Sequence, residues 1–225
     1  MRVKICGITG IQDLHAAVEA GTDAVGFNFV AGPRKITTHQ GEALMNALPP
    51  FVTPVALVKL GDEGINPEIA SFLDRHRIAD VQVYGDVTAP ALAALKAAGL
   101  RPIVPVSVQT EAFTQTMDDL LSAMGPARPT AALLDAWHRE HAGGTGTSFC
   151  WDWVAQARQV GRLDHWPAVI LAGGLRPDNV AEAIRVVRPV AVDVSSGVEF
   201  PEKPGHKDPA RMKAFVENAH GAESA

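Results

Sequence analysis

Two residue types suited to proton transfer stand out in this chain. Cys6 ends the first apolar run, in VKICGIT, directly before Gly7, and Asp135 ends AALLDA after four apolar residues. A cysteine acts as a base only as its thiolate, so a thiol pKa of about 8.5 must be met or lowered by nearby positive charge. Lys4 and Arg34 are the cations available by type. A carboxyl following an apolar run is pushed toward its protonated form by burial, which lets it donate a proton near neutrality. Each residue also has a plainer reading. A strand cysteine is a small buried hydrophobe, and an aspartate after a strand caps the next helix.

A second group could bind anions. LAGGL, with Gly173 and Gly174, and DVSSGVE, with Ser195, Ser196 and Gly197, present small residues whose backbone N–H groups can approach a phosphate closely. Arg34, in AGPRKI, can pair with a carboxylate in bidentate fashion or lie solvated in its loop. GGTGTSF at 143–149 lacks the lysine of a P-loop and reads as a loop that covers a substrate. His138 and His141 in HREH stand three apart, not four as in the helical zinc motif, so no metal is expected. Trp137, Trp151, Trp153 and Trp166 read as rim or core packing, since no basic residues interleave them.

The elements that must position these groups follow from hydrophobic pattern. Apolar β-rich runs recur at 2–6, 24–30, 53–60, 80–84, 102–106, 131–135, 168–172 and 190–194. Between them lie helical spacings, such as Ile11, Leu14 and Val18 closed by Gly21, and 180–187 preceded by Pro177. Strands apolar on both faces and alternating with helices predict a parallel sheet. Eight units at a spacing of roughly 28 residues fit a (β/α)8 TIM barrel better than a doubly wound open sheet. In such a barrel the chemistry gathers at the C-terminal ends of the strands, where Cys6, Asn28, Gln82, Tyr84, Asp135 and the two glycine turns fall. A single barrel domain over 1–225 is expected, with a frayed tail at 218–225.

Composition narrows the partners. With 20 Lys and Arg against 25 Asp and Glu the net charge is −5, which speaks against a nucleic-acid footprint or a polybasic membrane patch. Two cysteines, Cys6 and Cys150, are too few for a disulfide framework, and no apolar run approaches the roughly 20 residues of a membrane span. A cytoplasmic protein with reduced thiols is expected, monomeric or homodimeric.

The set KICGIT, DAVGFNF, GPRKI, VQVYGD, LLDA, GGTGTSF, LAGGLRPDNV and AVDVSSGVE with PGHKD, from residue 3 to about 208, resembles the phosphoribosylanthranilate isomerases of tryptophan biosynthesis. The resemblance implies a (β/α)8 barrel and an Amadori rearrangement of N-(5-phosphoribosyl)anthranilate without a cofactor. It implies Cys6 as general base and Asp135 as general acid. It also implies Arg34 at the anthranilate carboxylate, and the backbone around Gly173, Gly174, Ser195, Ser196 and Gly197 as phosphate cradle. This chain departs from the family pattern at Tyr84, where QVYG replaces the usual QLHG, and around 136–153, where TSFCWDW carries Cys150 and Trp151. A related phosphoribosyl isomerase of the histidine pathway and a catalytically silent barrel that binds a phosphorylated ligand are the alternatives. Cys6 discriminates against the first, and turnover against the second.

Overall fold

The computed structural model of the chain describes residues 1–124, 128–136 and 149–222. Eight parallel strands alternate with helices: β1 (Arg2–Cys6), β2 (Ala24–Asn28), β3 (Thr53–Gly61), β4 (Asp80–Gly85), β5 (Arg101–Val108), β6 (Ala131–Ala136), β7 (Ala168–Leu171) and β8 (Ala191–Val194). Each pairs with the next, and β1 pairs with β8 from Arg2 opposite Ala191 to Ile5 opposite Val194. The sheet therefore closes into the barrel that the pattern predicts. One addition was not legible in that pattern. Gly64 and Ile65 fold back antiparallel on Gly61 and Leu60, lengthening one rim.

The helices are α1 (Ile11–Glu19), α2 (Thr38–Ala47), α3 (Pro67–His76), α4 (Ala89–Ala97), α5 (Thr114–Met124), α6 (Trp151–Gln159), α7 (Val180–Val187) and α8 (Pro209–Gly221). Their starts are written locally. Thr37 and Gln40 form a reciprocal capping box on α2, while Asn66 and Asp208 cap α3 and α8, each followed by proline in the first turn. The fraying expected from Asn218 does not begin there. Helix α8 runs to Gly221, held by buried Met212, Phe215, Val216 and Ala219, and Asn218 itself donates to the Pro177 carbonyl at 2.8 Å. Residues 223–225 lie outside the described part, as do the expectations placed on 137–148, including HREH, Trp137 and most of GGTGTSF.

Strand alternation sorts side chains between two compartments. Val3 and Ile5, Val81 and Val83, Ala132 and Leu134, and Val192 and Val194 join the large apolar layer between sheet and helices. Their neighbours face the barrel axis, where Val55, Ile103, Ala131, Leu133 and Ala172 form a smaller apolar plug. Above that plug the inward positions turn polar. Lys4, Gln82 and Asp193 are buried there, and Cys6 and Asp135 follow two residues beyond inward positions of β1 and β6. The same alternation that buries valines outward thus aims the chemistry inward.

Candidate active site

All eight residues singled out from sequence line one cavity of about 390 Å³ at the C-terminal mouth of the barrel. Cys6, Arg34 and Asp135 share it with Gly173, Gly174, Ser195, Ser196 and Gly197, and with Asn28, Leu57, Gln82, Tyr84 and Asp193. That volume suits a small ligand.

Cys6 reaches the mouth because β2 leaves room for it. Gly26 lies opposite Cys6 in the register, and a Cβ there would sit 2.7 Å from the Cys6 sulfur. Gly7 takes a left-handed φ of 76°, and a side chain on it would strike Arg34 Cδ at 2.6 Å. Burial pushes the Cys6 thiol up from its ordinary pKa, aided by the negative charge of Asp193 and opposed by Lys4 and Lys207. The positive charge expected beside the thiol is therefore present, but desolvation outweighs it. Lys4 lies beneath the mouth, donating to Asp193 Oδ1 at 2.9 Å and to Gln82 Oε1 at 3.1 Å. There it stays cationic: burial opposes the charge, and Asp193 and the Cys6 sulfur more than offset that.

Asp135 lies inside β6, in register with Ser107 of β5, and so does not serve as a helix cap. Burial, reinforced by the charge of Asp193, pushes its carboxyl up to about 6, while the Ala136 N–H and Lys4 pull the other way. The carboxyl is thereby tuned to exchange a proton close to neutrality.

Arg34 differs from expectation. Its Nε and Nη2 form a bidentate pair with Glu199, at 2.6 and 2.8 Å, so the fork predicted for a ligand carboxylate is already taken. Only the Nη1 edge and one Nη2 proton remain for a ligand. Burial raises the Glu199 pKa, but hydrogen bonds from Arg34, the charge and bond of Lys207 and the Gly205 N–H overcome it and hold the carboxyl at about 2. Lys207 is fully buried against Glu199 at 2.8 Å and also donates to the Ser195 carbonyl, while Ser195 Oγ donates to the Cys6 carbonyl at 3.1 Å. The GVE and GHKD segments thus lock the second strand's loop to the last strand.

Beside Asp135, Gly173 and Gly174 have φ of 78° and 66°, and a Cβ on Gly173 would fall 2.3 Å from the Ala136 nitrogen. At Gly197 a Cβ would fall 1.9 Å from the Leu175 carbonyl oxygen. Both turns admit glycine alone. The N–H groups of Gly173, Gly174 and Ser196 have no acceptor among the described residues, which leaves them as donors for an anion in the cavity they line.

In the sequence Lys4 stands out by type only, and Asp193, Glu199 and Lys207 do not stand out as site residues. A signal existed for the first pair. Lys4 and Asp193 each interrupt an apolar strand, and closing the barrel sets them in register. Glu199 and Arg34 are 165 residues apart, with no local pattern joining them.

The fold and the mouth define a (β/α)8 barrel with a thiol and a tuned carboxyl in one cavity and a glycine-built donor cluster beside them. Comparison with known proteins narrows this class. The model of the family N-(5'phosphoribosyl)anthranilate (PRA) isomerase matches residues 3–218. The N-(5'-phosphoribosyl)anthranilate isomerase of Trichlorobacter lovleyi is 40% identical over 226 residues, covering 99% of each chain. The crystal structure of phosphoribosyl anthranilate isomerase from Thermotoga maritima superposes with a TM-score of 0.82 at 34% identity, covering 98% of this chain and 99% of that one. A phosphoribosyl anthranilate isomerase in complex with reduced 1-(o-carboxyphenylamino)-1-deoxyribulose 5-phosphate matches with a TM-score of 0.79 at 32% identity and the same coverage. The chain belongs to the phosphoribosylanthranilate isomerase family.

Proposed function

We propose that this chain converts N-(5-phosphoribosyl)anthranilate to 1-(2-carboxyphenylamino)-1-deoxyribulose 5-phosphate, with Asp135 as general acid and Cys6 as general base. The observation that carries the residue roles is that both groups line one ligand-sized cavity that also carries N–H donors with no acceptor among the described residues. Asp135 protonates the ribose ring oxygen, and the C1–O bond breaks as the amine lone pair forms an iminium. The Cys6 thiolate then takes the C2 proton, and the C–H electrons neutralise the iminium to give an enolamine. Loss of the C2 hydroxyl proton and protonation at C1 complete the ketose. One acid and one base in opposite protonation states suffice for these steps.

The Gly173, Gly174, Ser196 and Gly197 backbone holds the phosphate, joined by Ser195, and the open Nη1 edge of Arg34 faces the anthranilate carboxylate. Among the described residues no group of three or more metal-ligating side chains occurs, and no helix is long and apolar enough to cross a membrane. A cytoplasmic setting accords with Cys6 and Cys150 as free thiols.

Cys6→Ser and Asp135→Asn test the assignment. Each should fold normally and bind the reduced product analogue, yet lower kcat by at least about 1,000-fold, the order expected when an acid or base is deleted. Turnover within tenfold of wild type in either variant would remove that residue from the mechanism.

A further inference from the structure

We propose that Tyr84 is a catalytic hydrogen-bond donor, its phenolic O–H donating to the oxygen on the sugar carbon that Cys6 deprotonates. This rests on the acid and base roles just assigned and adds a third group to them.

The geometry runs outward from the barrel seam. Lys4 is anchored on Asp193 at 2.9 Å and donates to Gln82 Oε1 at 3.1 Å. An ammonium has donors only, so this contact fixes which end of the Gln82 amide is oxygen. The Gln82 Nε2 group then donates to the Tyr84 Oη at 2.7 Å. With one lone pair of Oη engaged, the phenolic O–H is left as a donor, and no acceptor takes it among the described residues. Tyr84 lines the same cavity as Cys6 and Asp135. Burial, followed by the charges of Cys6, Asp135 and Asp193, raises its pKa well above the ordinary phenol value, and the Gln82 bond only moderates this. The phenol therefore keeps its proton throughout the range in which the acid and base work.

An ordered chain of charge, amide and hydroxyl polarises its terminal O–H. As the C2 hydroxyl becomes a carbonyl, its oxygen loses its own proton and gains acceptor strength. A donor already in place there favours the later stages of the reaction over the bound substrate, the requirement for a rate effect. A histidine at this position, as in the family's usual QLHG, can donate, accept or carry charge. The tyrosine stays neutral, and with Gln82 donating to its oxygen its O–H is the group left to reach the ligand.

Tyr84→Phe keeps the ring and deletes the donor. It should lower kcat about 10- to 100-fold with KM changed less than threefold, and leave the thermal midpoint within a few degrees of wild type. Tyr84→His should recover most of that loss and add an ionisation near neutral pH to the kcat profile. Tyr84 is the chain's one tyrosine, so 3-fluorotyrosine incorporation places a single fluorine signal at the site. That signal should shift when the reduced product analogue binds, and inorganic phosphate alone should leave it in place. Wild-type kcat in Tyr84→Phe, equal losses in the Phe and His variants, or a fluorine signal indifferent to the analogue would overturn the proposal. Cys6→Ser and Asp135→Asn run alongside separate the two readings. If both are silent while Tyr84→Phe is normal, the Tyr84 role alone fails; if either turns over, the acid–base reading fails first.

Discussion

At the scale of single residues, burial at this mouth favours the neutral forms of both proton-transfer groups. The Asp135 carboxyl is held at about 6 and the Cys6 thiol above its ordinary value. The combination that reacts, a carboxylic acid beside a thiolate, is thus the minor partner of the thiol–carboxylate pair between those two values. The sign of the pH dependence follows. Below about pH 6 Asp135 is already protonated, so acidification only removes thiolate, and kcat/KM should fall tenfold per unit. Above it, thiolate gained offsets acid lost, giving a plateau that ends where the raised thiol ionises; the two limits belong to the coupled pair. Initial rates across about pH 4.5 to 9.5 check this. A profile still climbing tenfold per unit through pH 7 to 8 would contradict it.

The elements explain why the sulfur is where it is. Strand pairing brings Gly26 of β2 against Cys6 of β1 so closely that any Cβ would lie 2.7 Å from the sulfur and 3.0 Å from Cys6 Cα. Gly26→Ala must spread the two strands, at a cost of about 1–3 kcal/mol. Displacing the base by a fraction of an ångström to about 1 Å should also lower kcat by about 10- to 100-fold. Gly10→Ala is the control, because a Cβ there meets nothing nearer than Gln12 Oε1 at 3.7 Å. Kinetics and thermal melts of the two variants should separate sharply. The strands were legible because apolar β-rich runs bounded by turn residues survive in one dimension: 53–60 and 80–84 each fall within one residue of the observed ends. The return of Gly64 and Ile65 on β3 was not legible, since two residues carry no period. Arg34 reads as a fork in the sequence, but its pairing with Glu199 joins distant segments, and the pattern around it is the same whether it faces protein or ligand.

For the whole molecule, closure matters more than any one strand. Lys4 and Asp193 form a buried ion pair across the seam between β1 and β8, each less than a tenth exposed. Lys4→Met leaves the Asp193 charge buried without its cation and should cost about 3–5 kcal/mol, read from urea denaturation. Lys4→Met with Asp193→Asn should recover part of that loss. Equal stability of the single and double variants would show that the pair contributes nothing as a unit. The barrel class was legible because eight strand–helix units recur; this pair was not, because it emerges only when the circle is completed.

That contact spans 189 residues of sequence. During synthesis at 5–20 residues per second, the amino-terminal strand waits about 10 to 40 s for its final neighbour. Over that interval it carries an unneutralised lysine on an unguarded edge, and the base and the anion seat belong to halves that have not met. Nascent chains should therefore be inert until the last strand emerges, and two separately made fragments should regain turnover only by associating along this edge.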